Sequence, residues 1–267
     1  MLNLNVNGDT ALAVSRAVRP EYLRLPGELA ALTGSFGVHL SEQTHRDAAV
    51  LALAIECIDR SLDSISTRSG RAEFSQALTA CLQAAHALNR MPLFSIELFG
   101  WMKRLKEMIE RRRISDSFCE ISNALLRNSE VMRTTRKTTC FVECALAEGA
   151  LMVELLLLIV GKQTNPQFDA FMRRLGGPAN LIDKFRDARL DYARGELAIK
   201  PGARFHLRLA CEIFGRIPGL AFLCRTNVRL LFWGLKSLLV EIVMARRFVC
   251  CPFDPACLSF VHEPSIT

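Results

Sequence analysis

Apolar residues recur along the chain at the three- and four-residue spacing of buried helix faces, and few segments alternate with the two-residue period of strands. Helix formers such as Ala, Leu, Arg and Glu dominate, while glycine and proline are sparse. The pattern predicts an all-α bundle. Its predicted helices cover residues 28–34, 42–66, 71–89, 93–112, 114–129, 133–161, 166–175, 178–195, 204–215 and 218–247.

Glycines and prolines mark the predicted breaks between these helices. No break has the length or composition of a linker between domains, so we expect one helical domain over 28–249. A loosely ordered lead-in is expected over 1–27 and an irregular tail over 250–267. The predicted breaks are Gly70, Pro92, Gly161, Pro166, Gly176-Gly177-Pro178, Pro201-Gly202 and Pro218.

The cysteines favour a reducing compartment. Most of the ten lie inside apolar helical patterns, as reduced and buried cysteines do. The N-terminus lacks the basic region and continuous apolar run of a secretory signal, so a cytoplasmic location is expected. Three tail cysteines, Cys250, Cys251 and Cys257, lack the second ligand pair of a typical zinc site. The cysteines expected to be buried are Cys57, Cys81, Cys119, Cys140, Cys144, Cys211 and Cys224.

The formal net charge of +7 favours an anionic partner: nucleic acid, a membrane surface or a phosphorylated small molecule. With two Trp, two Tyr and no nucleic-acid-binding motif, the chain is not expected to bind nucleic acid. The basic run 103–113 is predicted to be a solvated helix face. Its alternative role is docking on an anionic membrane, so peripheral membrane association stays open. The most apolar run, 145–161, is shorter than the roughly 20 residues of a spanning helix and predicts a buried helix.

An acidic pair interrupts one of the apolar stretches. Asp59 and Asp63 follow the sequence AAVLALAIECI and lie four residues apart, so both carboxylates project from one helix face. Like charges at that spacing repel by about 0.2–0.5 kcal/mol. A solvated helix edge explains this pair if it stands alone.

A second acidic stripe has the same spacing and consists of Asp183, Asp187 and Asp191. Alone, it is also explained as a solvated face, with Arg186 and Arg194 as helical-neighbour partners. Two such stripes on separate helices of an apolar chain predict a cage of oxygen ligands if the stripes face each other. Mg²⁺ prefers such ligands and usually keeps waters and substrate phosphates in its shell. The pattern therefore favours a Mg²⁺ and diphosphate site.

The stretch from Asn180 to Pro201 resembles the second aspartate-rich motif of the squalene/phytoene synthase family. That motif reads roughly Gln-x-x-Asn-x-x-Arg-Asp-x-x-x-Asp, followed by Arg-Gly and a proline. The motif's Gln and Asn are replaced by Asn180 and Asp183. The matching residues are Arg186, Asp187, Asp191, Arg194, Gly195 and Pro201.

Further segments extend the resemblance to about residues 35–250, and among them Ile217-Pro218 and the helix ending at Arg247-Phe248-Val249 resemble the family's last core helices. Asp59 and Asp63 match the family's first motif, Asp-x-x-x-Asp. The segment ECALAEGALMVELLLLIVG is similar to the family's glycine-containing helix, with Ala145 and Gly149 in register. The resemblance implies the isoprenoid synthase fold, which is a single helical bundle with a central apolar cavity.

The resemblance also implies a site and a reaction. Magnesium would neutralise the diphosphate of a prenyl substrate, such as farnesyl or geranylgeranyl diphosphate, and an apolar wall would shield the resulting allylic cation from water. The implied Mg²⁺ ligands are Asp59, Asp63, Asp187 and Asp191, with Asp183 in support. The implied substrate contacts are Asn180, Arg186, Arg194 and Arg247.

Several positions depart from the family's pattern and leave three functions open. An aromatic residue and an arginine expected before the first motif are absent, with Glu56-Cys57 at that place, and Arg189-Leu190 replaces a Gly-Glu in the second motif. A tyrosine is replaced near Ala198, and Trp233 stands where a late tyrosine is common. Our primary expectation is head-to-head condensation of two prenyl diphosphates. The alternatives are cyclisation of a single prenyl diphosphate, as in a terpene synthase, and a non-catalytic binding or assembly module.

Overall fold

The computed structural model describes residues 20–83, 94–161 and 165–224. Within these ranges every regular element is an α-helix and none is a strand, so the predicted all-α class is confirmed. The helices are α1 (Pro20–Ser35), α2 (Glu42–Ser64), α3 (Arg68–Gln83), α4 (Ile96–Arg112), α5 (Ser115–Thr134), α6 (Thr138–Val160), α7 (Pro166–Ala193) and α8 (Ala203–Cys224).

Short polar side chains fix the starts of three helices. The side chains of Ser41, Ser95 and Asn165 accept the backbone N–H three residues onward, at 3.1, 3.1 and 2.8 Å. Each bond satisfies one of the N–H groups that a helix start leaves without a partner. Gly161 ends α6 with φ of 64°, which confirms the predicted break there.

Three other predicted breaks are wrong: Gly70 lies inside α3, which begins at Arg68, and two more lie inside later helices. Helix α7 runs continuously through Gly176-Gly177-Pro178, and α8 runs through Pro218. A Cβ added at Gly149 would lie 2.1 Å from the carbonyl oxygen of Gly176, and one added at Gly176 would lie 2.4 Å from the oxygen of Gly149. The glycines therefore allow the backbones of α6 and α7 to touch, and this packing outweighs the weak helix propensity of the sequence.

Helices α6 and α7 pack antiparallel. Arg173 of α7 is ion-paired with Glu154 of α6, whereas Asn180, farther along α7, bonds the carbonyl oxygen of Ala145, which precedes Glu154 on α6. The main hydrophobic core draws buried residues from α1 to α7, and a second cluster joins α6, α7 and α8. The run 145–161 lies in α6, whose buried residues extend to Val160, as predicted.

The basic run on α4 is not simply a solvated face. Leu105, Met108 and Ile109 point into the core. Arg111 and Arg112 both bind Asp47 of α2, and that carboxylate is 2% exposed. The prediction missed this ion pairing because nothing in the local sequence of α4 signals a buried acid on α2.

Burial of the cysteines varies. Cys57 and Cys81 are buried, and Cys119, Cys140 and Cys144 are partly buried. Cys211 contradicts the expected burial: it is exposed, because it lies on the outer side of α8 whereas Leu209 and Ile213 face the core.

Several expectations concern parts of the chain near or beyond the described ranges. Helix α1 begins at Pro20, inside the expected lead-in, and residues 1–19 lie outside the described residues. So do Arg247, Trp233 and the tail cysteines. In the part of the chain that the structure describes, no helix combines the length and apolarity needed to cross a bilayer.

Candidate functional site

A cleft of about 500 Å³ lies between the helices and has both charged and apolar walls. Along α2, Leu51 and Ile55 precede Asp59 and Asp63 in the lining. Along α5, Phe118 and Leu125 precede Ser129 and Arg133. Because Arg133 bonds Asp63, the C-terminal parts of α2 and α5 meet. The charged residues of both helices therefore gather at one end of the cleft, and the apolar residues line the other.

The structure brings nearly all the predicted site residues to this cleft. Both aspartate stripes contribute to its lining, although they come from α2 and α7. The one predicted residue that is not placed is Arg247, which lies outside the described residues. The predicted residues in the lining are Asp59, Asp63, Asn180, Asp183, Arg186, Asp187, Asp191 and Arg194.

The second carboxylate of the first motif is held by an arginine that the sequence did not suggest. Arg133 of α5 donates to Asp63, and their side chains are 14% and 24% exposed. Burial by itself lowers the pKa of Arg133, but the hydrogen bond and charge of Asp63 raise it above its ordinary value. Arg133 therefore stays charged inside the cleft.

On α7, one arginine joins two of the aspartates. Arg186 donates to Asp187 at 2.8 and 3.0 Å and to Asp183 at 2.7 Å. Asp183 is half exposed, with 51% of its side chain accessible. The pairing with helical neighbours that was expected for Arg186 is therefore present. The same three residues also line the cleft.

A third group joins α6 to α7. Asn180 donates to the carbonyl oxygen of Ala145 at 2.7 Å and to Glu148 at 2.9 Å, and the ammonium of Lys184 lies 3.6 Å from Glu148. Burial lowers the pKa of Lys184, but Glu148 and then Asp183 outweigh it, so this pKa lies above its ordinary value. The bonds of Asn180 orient the helix that carries the second aspartate stripe.

Two carboxyl groups of the cleft hold protons more tightly than usual. Burial raises the pKa of Asp191 to about 7; Lys184 opposes this shift, and Glu196 and Asp187 add to it. Burial also raises the pKa of Glu196, with Asp63 adding to the shift and Arg133 opposing it. Carboxyls from both stripes thus share one partly desolvated environment.

Four charged residues of this cleft were not predicted from the sequence: Arg133, Glu148, Lys184 and Glu196. Glu148 offered a signal, since it interrupts the most apolar run of the chain. Lys184 and Glu196 adjoin the second motif, but their positions do not belong to it. Arg133 belongs to no motif, and only tertiary packing brings it to Asp63.

The donor atoms of the cleft suit magnesium in one particular way. Among the described residues, no three His, Cys, Asp or Glu side chains lie close enough together to hold a metal ion by themselves. Mg²⁺ is commonly held by one or two protein carboxylates together with substrate phosphates. A magnesium ion in this cleft would therefore share its coordination with a phosphorylated ligand.

The arrangement as a whole suits an amphipathic anion, with its charged group at the acidic and basic end and its hydrocarbon along the apolar walls. Asp59 and Asp187 are exposed to such a ligand as lining residues, and Leu51 and Leu125 are placed to contact its hydrocarbon.

Comparisons of this protein with family models, curated proteins and solved structures find no match.

Proposed function

We propose that the chain is a Mg²⁺-dependent isoprenoid synthase that ionises prenyl diphosphates, with the isoprenoid synthase fold implied by its resemblance to squalene/phytoene synthases. The supporting observation is that both aspartate stripes line one cleft, in which the charged residues of α2 and α5 gather at one end and apolar residues of the same helices line the other. A prenyl diphosphate has the same division, with a polyanionic head on a hydrocarbon chain.

Each part of the cleft has a role in this proposal. Bound magnesium would supply Lewis-acid neutralisation of the departing diphosphate. The carboxylates of Asp59, Asp63, Asp187 and Asp191 are the proposed holders of the metal. Leu51 and Leu125 contribute to the apolar wall, which keeps water from the hydrocarbon while the carbon–oxygen bond breaks.

The proposed reaction is head-to-head condensation of two prenyl diphosphates, because the family resemblance is broadest for those enzymes. Cyclisation of one prenyl diphosphate is the second candidate. It is favoured by the replaced residues around both motifs, such as Glu56-Cys57, since a condensing enzyme must bind a second diphosphate. The ionisation step is common to both reactions.

Product analysis separates these candidates. The purified chain is incubated with Mg²⁺ and farnesyl or geranylgeranyl diphosphate, and the extract is analysed by mass spectrometry. Condensation doubles the carbon count of the substrate, whereas cyclisation preserves it and forms rings. Absence of any product with either substrate would refute the enzyme proposal and favour the binding-module alternative.

Matched variants show whether a product arises from this cleft. Asp187→Asn removes a carboxylate of the second stripe and is expected to abolish product formation. Asp116→Asn changes an exposed aspartate near the start of α5, outside this cleft, and is expected to preserve it. Equal product from both variants would place the activity elsewhere.

We also propose a cytoplasmic location, with lipid-like substrates taken from a membrane surface. The supporting observation is that Cys57, Cys81, Cys119, Cys140, Cys144 and Cys211 are free, as is usual in a reducing compartment. Cys57 and Cys81, for example, are buried in the core without a disulfide.

A further inference from the structure

An arginine lies within the acidic end of the cleft, and neither aspartate motif includes it. Arg133 reaches the cleft from α5, on a different wall from the α7 arginines. Its side chain is 14% exposed and donates a hydrogen bond to Asp63. The negative charges of Asp59 and Glu196 also stabilise its positive charge. Ser129, one turn earlier on the same helix, lines the same cleft.

We propose that Arg133 binds the diphosphate of the substrate, and that Asp63 holds it in place until a metal ion takes that carboxylate. This inference rests on the proposed function and assigns a residue role within it. A guanidinium can donate two parallel hydrogen bonds to phosphate oxygens, a geometry that an ammonium does not provide. The Ser129 hydroxyl is a further donor on the same side.

Arg133 is better placed for this role than Arg186 of the second motif. The guanidinium of Arg186 already makes three hydrogen bonds to Asp183 and Asp187 on its own helix. Arg133 instead crosses from α5 to a single carboxylate of α2, the predicted metal ligand Asp63. Release of that one carboxylate gives its donors to an incoming anion.

The Asp63–Arg133 pair couples metal binding to diphosphate binding. A metal ion that takes both oxygens of Asp63 displaces Arg133, and a diphosphate that takes two parallel hydrogen bonds from Arg133 through the donors now facing Asp63 displaces that carboxylate. Whichever ligand binds first separates the ion pair, so the second binds without that cost. The two ligands therefore favour each other, even apart from the direct contact between them.

Removal of either partner shifts the binding of the two ligands in opposite directions. Calorimetry on the full chain uses MgCl₂ alone, inorganic pyrophosphate alone, and pyrophosphate with saturating Mg²⁺. In Arg133→Met, binding of Mg²⁺ alone tightens by about fivefold or more, whereas pyrophosphate with Mg²⁺ binds about tenfold to a hundredfold more weakly. In Asp63→Asn, pyrophosphate without metal binds at least about fivefold more tightly than in the wild type.

Two further variants separate binding from structural effects. Arg133→Lys keeps the charge but loses the two parallel bonds, so its affinity for pyrophosphate falls between those of the wild type and Arg133→Met. Arg127→Met changes an exposed arginine of the same helix, outside this cleft, and leaves both affinities unchanged. If circular dichroism shows that Arg133→Met does not fold, the measurements on Arg133→Lys and Asp63→Asn decide the question.

Two kinds of result overturn the inference and differ in what they say about the enzyme. If the wild type forms product but Arg133→Met or Arg133→Lys binds Mg²⁺ and pyrophosphate as the wild type does, the role of Arg133 is wrong and the proposed function stands. Unchanged metal-free pyrophosphate binding in Asp63→Asn has the same meaning. If the wild type forms no product and binds no pyrophosphate with Mg²⁺, both proposals fail.

Discussion

The contact between Gly149 and Gly176 provides a direct test of how α6 and α7 position the site. In Gly149→Ala, the new Cβ would lie 2.1 Å from the Gly176 carbonyl oxygen and 2.8 Å from the Cβ of Asn180. Ordinary contact requires roughly 3.5 Å, so the two backbones must separate by about 1 Å. No side-chain rotation relieves this clash, because the nearest atom belongs to the backbone.

The expected cost follows from two opposing effects. Overpacking of this kind costs about 2–3 kcal/mol of unfolding free energy, and replacing a helical glycine by alanine returns about 1 kcal/mol. Gly149→Ala should therefore destabilise the protein by about 1–2 kcal/mol, which lowers Tm by several degrees at about 2–4 °C per kcal/mol. The separation also displaces Asn180 from Ala145, so turnover should fall at temperatures where the variant is still folded.

Gly100→Ala is the matched control, because Gly100 is exposed on helix α4 and a Cβ there meets nothing within 4 Å. It should raise the unfolding free energy by up to about 1 kcal/mol, which is the helix-propensity gain alone. Both variants are measured by thermal and urea unfolding. A Gly149→Ala protein as stable as Gly100→Ala would refute the close packing of α6 and α7.

Two further predictions concern the carboxylates of the cleft. Asp59→Asn or Asp187→Asn should lower turnover by orders of magnitude, and chelation of Mg²⁺ should abolish it. The unfolding free energy of Asp59→Asn should hold or rise because like-charge repulsion is relieved, whereas Asp187→Asn also loses its ion pair with Arg186 and should change by no more than about 1 kcal/mol. Undiminished turnover or gross unfolding would contradict a metal-ligand role. Asp191, with a folded-state pKa of about 7 against an ordinary 3.8, binds its proton more tightly in the folded than in the unfolded protein. The unfolding free energy of the metal-free protein should therefore fall as pH rises from about 4 to 7. Urea unfolding at several pH values measures this dependence. Asp191→Asn should remove the part of the pH dependence that comes from Asp191.

The helices were largely predictable because their signals are local. Apolar periodicity located the helices, and short polar caps such as Ser41 and Asn165 mark where two of them begin. The prediction failed at Gly176-Gly177-Pro178 because such residues are found in two different structural settings. They break a helix in isolation, but they also permit a neighbouring backbone to approach, and the sequence does not say which applies.

The candidate site was predictable only where its residues repeat on one helix. A four-residue spacing identified Asp59 with Asp63 and Asp187 with Asp191, and the structure places all four in one cleft. Arg133 has no such spacing relative to Asp63, since the two are 70 positions apart in the chain. Its role depends on how α5 packs beside α2, which is a tertiary property.

The charge of the cleft supports a metal requirement if its ligand is a diphosphate. Among the described residues, the lining has seven carboxyl groups and four Lys or Arg side chains, so it is acidic although the whole chain carries +7. Even with a proton on Asp191, the carboxylates outnumber the cations. A diphosphate without metal would bind such a surface only weakly, whereas divalent cations bound with it reverse the local charge balance. Arg133 and Lys184 would therefore bind a metal–diphosphate complex more tightly than the anion alone.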